Sequence, residues 1–124
     1  MNPFKPKRHG RAGPESIIQE LIITKLMRHD YFVQVMIGNE LQFGLPDLFI
    51  AHPRHGQKWV EVKNPAKFSF TERQQQKFPK LHAAGVGIWV LFSDTDEELM
   101  KLFKPANGME VMINWINGVY NKGR

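Results

Sequence analysis

The sequence predicts an α/β domain built on a mixed sheet with helices on its faces. Three observations carry this. Short β-branched and aromatic runs alternate with helix-length segments, in the order helix, three strands, helix, strand, helix. The 124 residues, 42% of them hydrophobic, are the size of one domain with one core. No Pro/Gly/Ser-rich linker and no internal repeat divides the chain.

The segment GPESIIQELIITKLMRHD (13 to 30) is predicted as the first helix. Pro14 suits the first turn, and Glu15 and Glu20 place acids in its N-terminal half. Ile17, Ile18, Leu21, Ile22 and Leu26 recur with helical period. YFVQVMI (31 to 37) is strand-like and ends at Gly38-Asn39. DLFIAH (47 to 52) and KWVEVK (58 to 63) flank PRHGQ, which predicts a hairpin with a five-residue loop. SFTERQQQKFPKLHAAG (69 to 85) is predicted as a helix capped near Thr71 and stopped by Gly85, with Pro79 expected to kink it or move its start. GIWVLF (87 to 92) is a buried strand by its continuous apolar run, and DTDEELMKLF (94 to 103) is a helix with acids at its start. MEVMINWINGVY (109 to 120) fits either a strand and short helix or one amphipathic segment, covering the sheet or making a subunit interface.

Composition narrows the function classes. The formal charge is +5 with a pI near 9.6, which suits a polyanionic partner such as nucleic acid, although a basic soluble protein has the same balance. Lys5, Lys7, Arg8 and Arg11 crowd into residues 1–13, expected as a basic flexible arm that grips phosphates, ahead of a single domain over 14–124. There is no cysteine, so disulfides and thiolate zinc sites are excluded. The longest apolar stretch is too short to span a bilayer, and the N-terminus lacks an apolar signal core. The expected location is cytoplasmic or DNA-associated, not secreted.

The charged residues within the strand runs point to chemistry. In a strand, residues i and i+2 share a face, so Glu61 and Lys63 point together while Val60 and Val62 point into the core. Closing the hairpin over 53 to 57 places Asp47 opposite Lys63 and Glu61 opposite Phe49. Two carboxylates and an amine then meet at one end of the hairpin. Crowded carboxylates repel unless a cation holds them, and hard divalent ions favour a few carboxylates with waters and phosphate oxygens. An exposed salt-bridge cluster is the competing arrangement of the same charges. Glu15 falls along the edge of the buried helical stripe, whereas Glu20 falls on the solvent side. Gln74 lines up with Phe78 and Leu81, facing inward. Each is also a capping or core-satisfying group in its own right.

Pro46-Asp47 followed by Glu61-Val62-Lys63 resembles the PD-(D/E)XK nuclease signature. With ESIIQELI (15 to 22), GLPDLFI (44 to 50), WVEVKNP (59 to 65) and TERQQQKFPKLHAAGVGIWVL (71 to 91), the chain resembles the VRR-NUC branch of that superfamily over roughly residues 15 to 92. The resemblance implies a restriction-endonuclease-like αβββαβ core and Mg²⁺- or Mn²⁺-dependent hydrolysis of DNA phosphodiesters. By position it implies that Asp47 and Glu61 bind metal with the Val62 carbonyl, and that Glu15 supports the metal or its water shell. Lys63 is implied to position or activate the attacking water, and Gln74 to orient the site. It further implies a junction-resolving homodimer acting on branched DNA. TERQ stands where Ser-Pro-Glu-Gln is more usual, which bears on helix geometry more than on the metal site. Neighbouring carboxylates favour a charged Lys63 ammonium, so orientation and electrostatic stabilisation are its expected contributions.

Other features carry less. His52 and His55 in HPRHG lack a further ligand set and are expected at the surface, where Arg54 and Lys58 join them as phosphate contacts. Lys67, Lys77 and Lys80 are plausible backbone contacts. No base-reading module is evident, which favours recognition of DNA shape. A catalytically inert binding module, or a nuclease subunit needing a partner for targeting, are the competing functions.

Overall fold

The computed structural model describes residues 13–37 and 44–121. Lys5, Lys7, Arg8 and Arg11 of the expected basic arm lie outside them. Helix α1 (Pro14–Arg28) leads into strand β1 (Phe32–Val35), followed by β2 (Leu48–His52) and β3 (Gly56–Val62). Helix α2 (Glu72–Ala83) connects to β4 (Ile88–Leu91), and then come α3 (Asp96–Leu99), a 3₁₀ turn (Met100–Phe103), α4 (Gly108–Ile116) and a final 3₁₀ turn (Val119–Asn121). The sheet order is β1-β2-β3-β4, antiparallel except for the parallel β3–β4 pair. This is the mixed αβββαβ arrangement that the pattern of runs predicts.

Helices cover both faces of the sheet. Ile22, Ile23 and Leu26 of α1 pack with Val33, Leu48, Ile50, Val60 and Val62, and Leu99 and Leu102 complete that cluster. On the other face Phe78 of α2 and Val111 and Met112 of α4 pack with Ile88, Val90 and Phe70. β3 is therefore buried on both sides, so the face carrying Glu61 and Lys63 lies under α2 rather than in solvent. Ile17 and Leu21, counted in the apolar period of α1, are exposed, and Glu20, expected on the solvent side, is half-buried.

The hairpin differs from its expected form. His52 pairs with Gly56, leaving a three-residue loop instead of five. The His55 N–H donates to the His52 carbonyl at 3.2 Å, Pro53 occupies the second turn position, and Gly56 follows at φ 75°. A turn followed by a left-handed glycine resumes pairing at once, which residue counting from the β-branched run misses. The paired indices sum to 108, seen in Leu48 with Val60 and Phe49 with Trp59. Asp47 therefore comes opposite Glu61, not Lys63, and Phe49 faces Trp59, not Glu61.

Helix α2 begins as predicted. Thr71 caps it with both halves of a capping box, and Gly85 N–H to His82 and Val86 N–H to Leu81 close its C-terminus in a Schellman arrangement. Pro79 neither ends the helix nor moves its start; the helix runs through it. The predicted 94 to 103 helix divides into α3 and the 3₁₀ turn, and the C-terminal segment is helical without a strand. α4 turns Val111 and Met112 inward while Ile113 and Ile116 stay exposed, so it covers the sheet and also presents apolar surface.

Beside β4 the Asn107 side chain takes the place of a neighbouring strand. Its Oδ1 accepts from the Val90 N–H at 2.6 Å, and its Nδ2 donates to the Val90 carbonyl at 3.1 Å. This satisfies edge groups that would otherwise invite pairing with another chain. Asn107→Ala is expected to cost about 1–3 kcal/mol, because it leaves both groups of Val90 unpaired. Urea denaturation of the two proteins measures this difference.

Candidate active site

The site forms where β2 begins and β3 ends, because the antiparallel register sets Asp47 and Glu61 side by side on the α2 face. Gly44, at φ 83°, lets the lead-in to β2 press onto α2: a Cβ there would lie 2.8 Å from the Arg73 carbonyl oxygen. This contact brings the start of β2 against the first turn of α2, which carries Gln74. Pro46 then enforces extended backbone at the residue before it.

The two acids are locked by reciprocal bonds across the register. The Val62 N–H donates to Asp47 Oδ2 at 2.8 Å, and the Asp47 N–H donates to Glu61 Oε1 at 3.2 Å. Glu61 Oε2 receives the Lys63 ammonium at 2.9 Å and the Gln74 amide Nε2 at 2.8 Å. Lys63 Nζ also donates to Gln74 Oε1 at 3.3 Å and lies 4.6 Å from the centre of the Phe70 ring. Glu61, Lys63 and Gln74 are only 1%, 4% and 8% exposed, which removes the exposed salt-bridge cluster as an account of these charges.

Electrostatics follow from that burial. Desolvation pushes the Asp47 carboxyl well above the usual carboxylate range; adjacent Glu61 adds to the rise, and the Val62 N–H opposes it. Glu61 is also raised by burial, against the pull of Lys63, Gln74 and the Asp47 N–H. Two adjacent carboxylates, Glu61 buried and Asp47 half-buried, disfavour joint ionisation beside a single ammonium unless a further cation is present.

The structure brings Asp47, Glu61, Val62, Lys63 and Gln74 together. Glu15 lies in the first turn of α1 with an exposed side chain. It feels the site through space: partial desolvation raises its carboxyl, Lys63 lowers it and Glu61 raises it. Among the described residues no three acidic or histidine side chains form a metal-holding group. Two carboxylates and a main-chain carbonyl still suit Mg²⁺, which commonly takes one or two protein carboxylates and keeps several waters. Asp47 Oδ1 accepts no hydrogen bond among the described residues, leaving an oxygen for a cation.

Lys67 is exposed at the same end of the sheet, in the turn where its N–H donates to the Asn64 carbonyl at 3.3 Å. Arg54 is not. It sits at the hairpin tip, about 16 Å of strand away at ~3.3 Å per residue. There it lines a cavity of about 750 Å³ with Tyr31, His52 and His55 on the α1 side of the sheet. The His52 and His55 rings stack at 4.5 Å. Phe70 is the site residue that sequence reasoning missed. Its only local signal is an aromatic immediately before a capping threonine.

A carboxylate pair with a buried lysine, at the strand ends of a mixed α/β sheet, defines the class of the site. Among solved structures the fold is similar to one described as a VRR_NUC domain, with a TM-score of 0.61 and 22% identity, covering 75% of this chain and 97% of that one. No family model and no curated protein matches the sequence. The likeness establishes the fold: a four-stranded mixed sheet flanked by helices, shared with a VRR_NUC domain. No helix among the described residues is long and apolar enough to cross a membrane.

Proposed function

We propose that this chain is a metal-dependent endonuclease hydrolysing DNA phosphodiesters, of the PD-(D/E)XK type. The observation that carries the reading is Glu61, buried against Lys63 at the end of β3, with the half-buried Asp47 carboxyl beside it. Such an arrangement is a costly way to stabilise a fold, since burying like charges opposes folding. It is well suited to a site that holds a cation and an anionic substrate.

Asp47, Glu61 and the Val62 carbonyl would hold Mg²⁺ or Mn²⁺, which supplies charge neutralisation at the phosphate and a more acidic water. Glu15 adds negative field from α1 and is placed to act on the surrounding water shell. Lys63, fixed by Glu61, Gln74 and Phe70, presents a positive charge beside the phosphate and stabilises negative charge developing on it. Gln74 bonds both members of the Lys63–Glu61 pair and would fix their orientation. Lys67 contacts the DNA backbone near the site, while Arg54 meets it only where DNA passes the hairpin tip. We further propose a preference for branched DNA and action as a homodimer, as the resemblance to the VRR-NUC branch implies, with recognition of backbone shape rather than base sequence.

The test is cleavage of labelled duplex, single-stranded, flap and four-way-junction DNA with Mg²⁺, Mn²⁺ or chelator, alongside sedimentation to read the oligomeric state. Metal-dependent cutting, strongest on a branched substrate, is the expected result. Binding without cutting under every condition overturns it in favour of an inert binding module or a subunit requiring a targeting partner.

A further inference from the structure

We propose that Thr71 is a positioning residue for the site: the capping box of α2 and the catalytic centre are one hydrogen-bonded unit. The inference rests on the nuclease reading above for its catalytic consequence, and on geometry for the rest. Thr71 Oγ1 accepts from the Gln74 N–H at 3.1 Å, and the Thr71 N–H donates to Gln74 Oε1 at 3.0 Å. That same Oε1 receives Lys63 Nζ at 3.3 Å, and the other end of the amide donates to Glu61 Oε2 at 2.8 Å.

The cap decides which way the amide points. A side-chain amide between two polar neighbours has two nearly isosteric orientations. The Thr71 main-chain N–H is a donor in every circumstance, so it requires the oxygen of Gln74 on its side. The nitrogen is thereby turned to Glu61, where it must meet an acceptor. Reversal would set an N–H₂ against both the Thr71 N–H and the Lys63 ammonium, with the amide oxygen against a carboxylate. A capping interaction that ordinarily serves only a helix end here selects the orientation that joins Glu61 to Lys63.

Losing the hydroxyl removes the bond that fixes the first turn of α2, so the Thr71 N–H, which the substitution keeps, is no longer held in register with Gln74 Oε1. Partners that orient a metal-binding group commonly affect affinity or activity by about 10–100-fold. A general loss of helix stability predicts no such selectivity, and the molecule contains its own control. Thr95 caps α3 in the same way, accepting from the Glu98 N–H at 3.2 Å, but has no bond to the site.

The experiment compares the wild type with Thr71→Val, Thr71→Ser and Thr95→Val. The readouts are Mn²⁺ binding without DNA, cleavage rate, and hydrogen exchange of the Gln74 side-chain amide by NMR. Thr71→Val is expected to weaken Mn²⁺ binding or slow cleavage by about 10–100-fold and to lose the amide's protection. Thr71→Ser should restore both to within about threefold, and Thr95→Val should leave both unchanged. A Thr71→Val protein indistinguishable from Thr95→Val overturns the positioning role. A wild type that neither binds Mn²⁺ nor cleaves overturns the nuclease reading, and with it any catalytic consequence of Thr71.

Discussion

Asp47→Asn is expected to lower metal-dependent DNA cleavage on the order of 1,000-fold while raising the thermal midpoint of the metal-free protein. Both effects come from the same charge. Asparagine keeps an oxygen to accept the Val62 N–H, so the register of β2 against β3 survives. It removes the half-buried carboxylate beside Glu61, whose proton affinity is raised first by desolvation and then by Glu61. A carboxyl raised in the folded state binds more protons folded than unfolded. Its contribution to stability is therefore greatest below the unfolded value of about 4 and is lost as pH rises through the folded value. The variant should exceed the wild type by on the order of 1 kcal/mol at pH 7.5 in chelator, a few degrees in midpoint. That gap should close as pH falls through the raised folded value of Asp47, below which the wild-type carboxyl is itself protonated. Mg²⁺ or Mn²⁺ should raise the wild-type midpoint and leave the variant unmoved. Thermal melts at several pH values, with and without metal, give all of these. A variant less stable than the wild type at pH 7.5 would count against the buried repulsion.

Glu61→Leu is expected to act in the opposite direction on stability. The carboxylate accepts from Lys63, Gln74 and the Asp47 N–H, all within 3.2 Å. Removing it leaves a 4%-exposed ammonium without its counter-charge and two donors without acceptors. The cost of breaking a buried pair from one side is about 3–5 kcal/mol, or roughly 10–20 °C of midpoint for a domain of this size. The double variant Glu61→Leu with Lys63→Met should recover at least about 2 kcal/mol of this, because the stranded charge leaves with its partner. Denaturant unfolding of the single and double variants measures the recovery. Strict additivity would show that Lys63 and Glu61 do not depend on each other.

These two results would show why the acids are easy to see in the sequence but hard to place from it. Asp47, Glu61 and Lys63 stand out because charges interrupt runs that otherwise read as buried strands. The strand and helix signals around them are local: period two, period 3.6, a threonine cap, a glycine stop. Thr71 and Gly85 delimit α2 as read, since capping depends on residues within one turn of each other. The inward direction of Gln74 also follows from the helical wheel.

What failed were statements about residues distant in sequence. A glycine-closed turn two residues shorter than expected moved Asp47 from Lys63 to Glu61. Phe70 beneath Lys63 and Asn107 beside Val90 have no local signature, because each completes a partner that the chain supplies only after folding. Glu15, by contrast, lies on the edge of the helical stripe as read, and its carboxyl feels Lys63 and Glu61 across the sheet end.

The sequence by itself determined the order of elements, the basic balance and the identity of the charged residues, because these depend on composition and near-neighbour spacing. Tertiary structure alone decided the register that pairs the carboxylates, the burial of both faces of β3, and the use of a helix cap to orient the site. Those depend on loop closure and on the packing of α2 against the strand ends, where one glycine and one amide settle what no periodicity encodes.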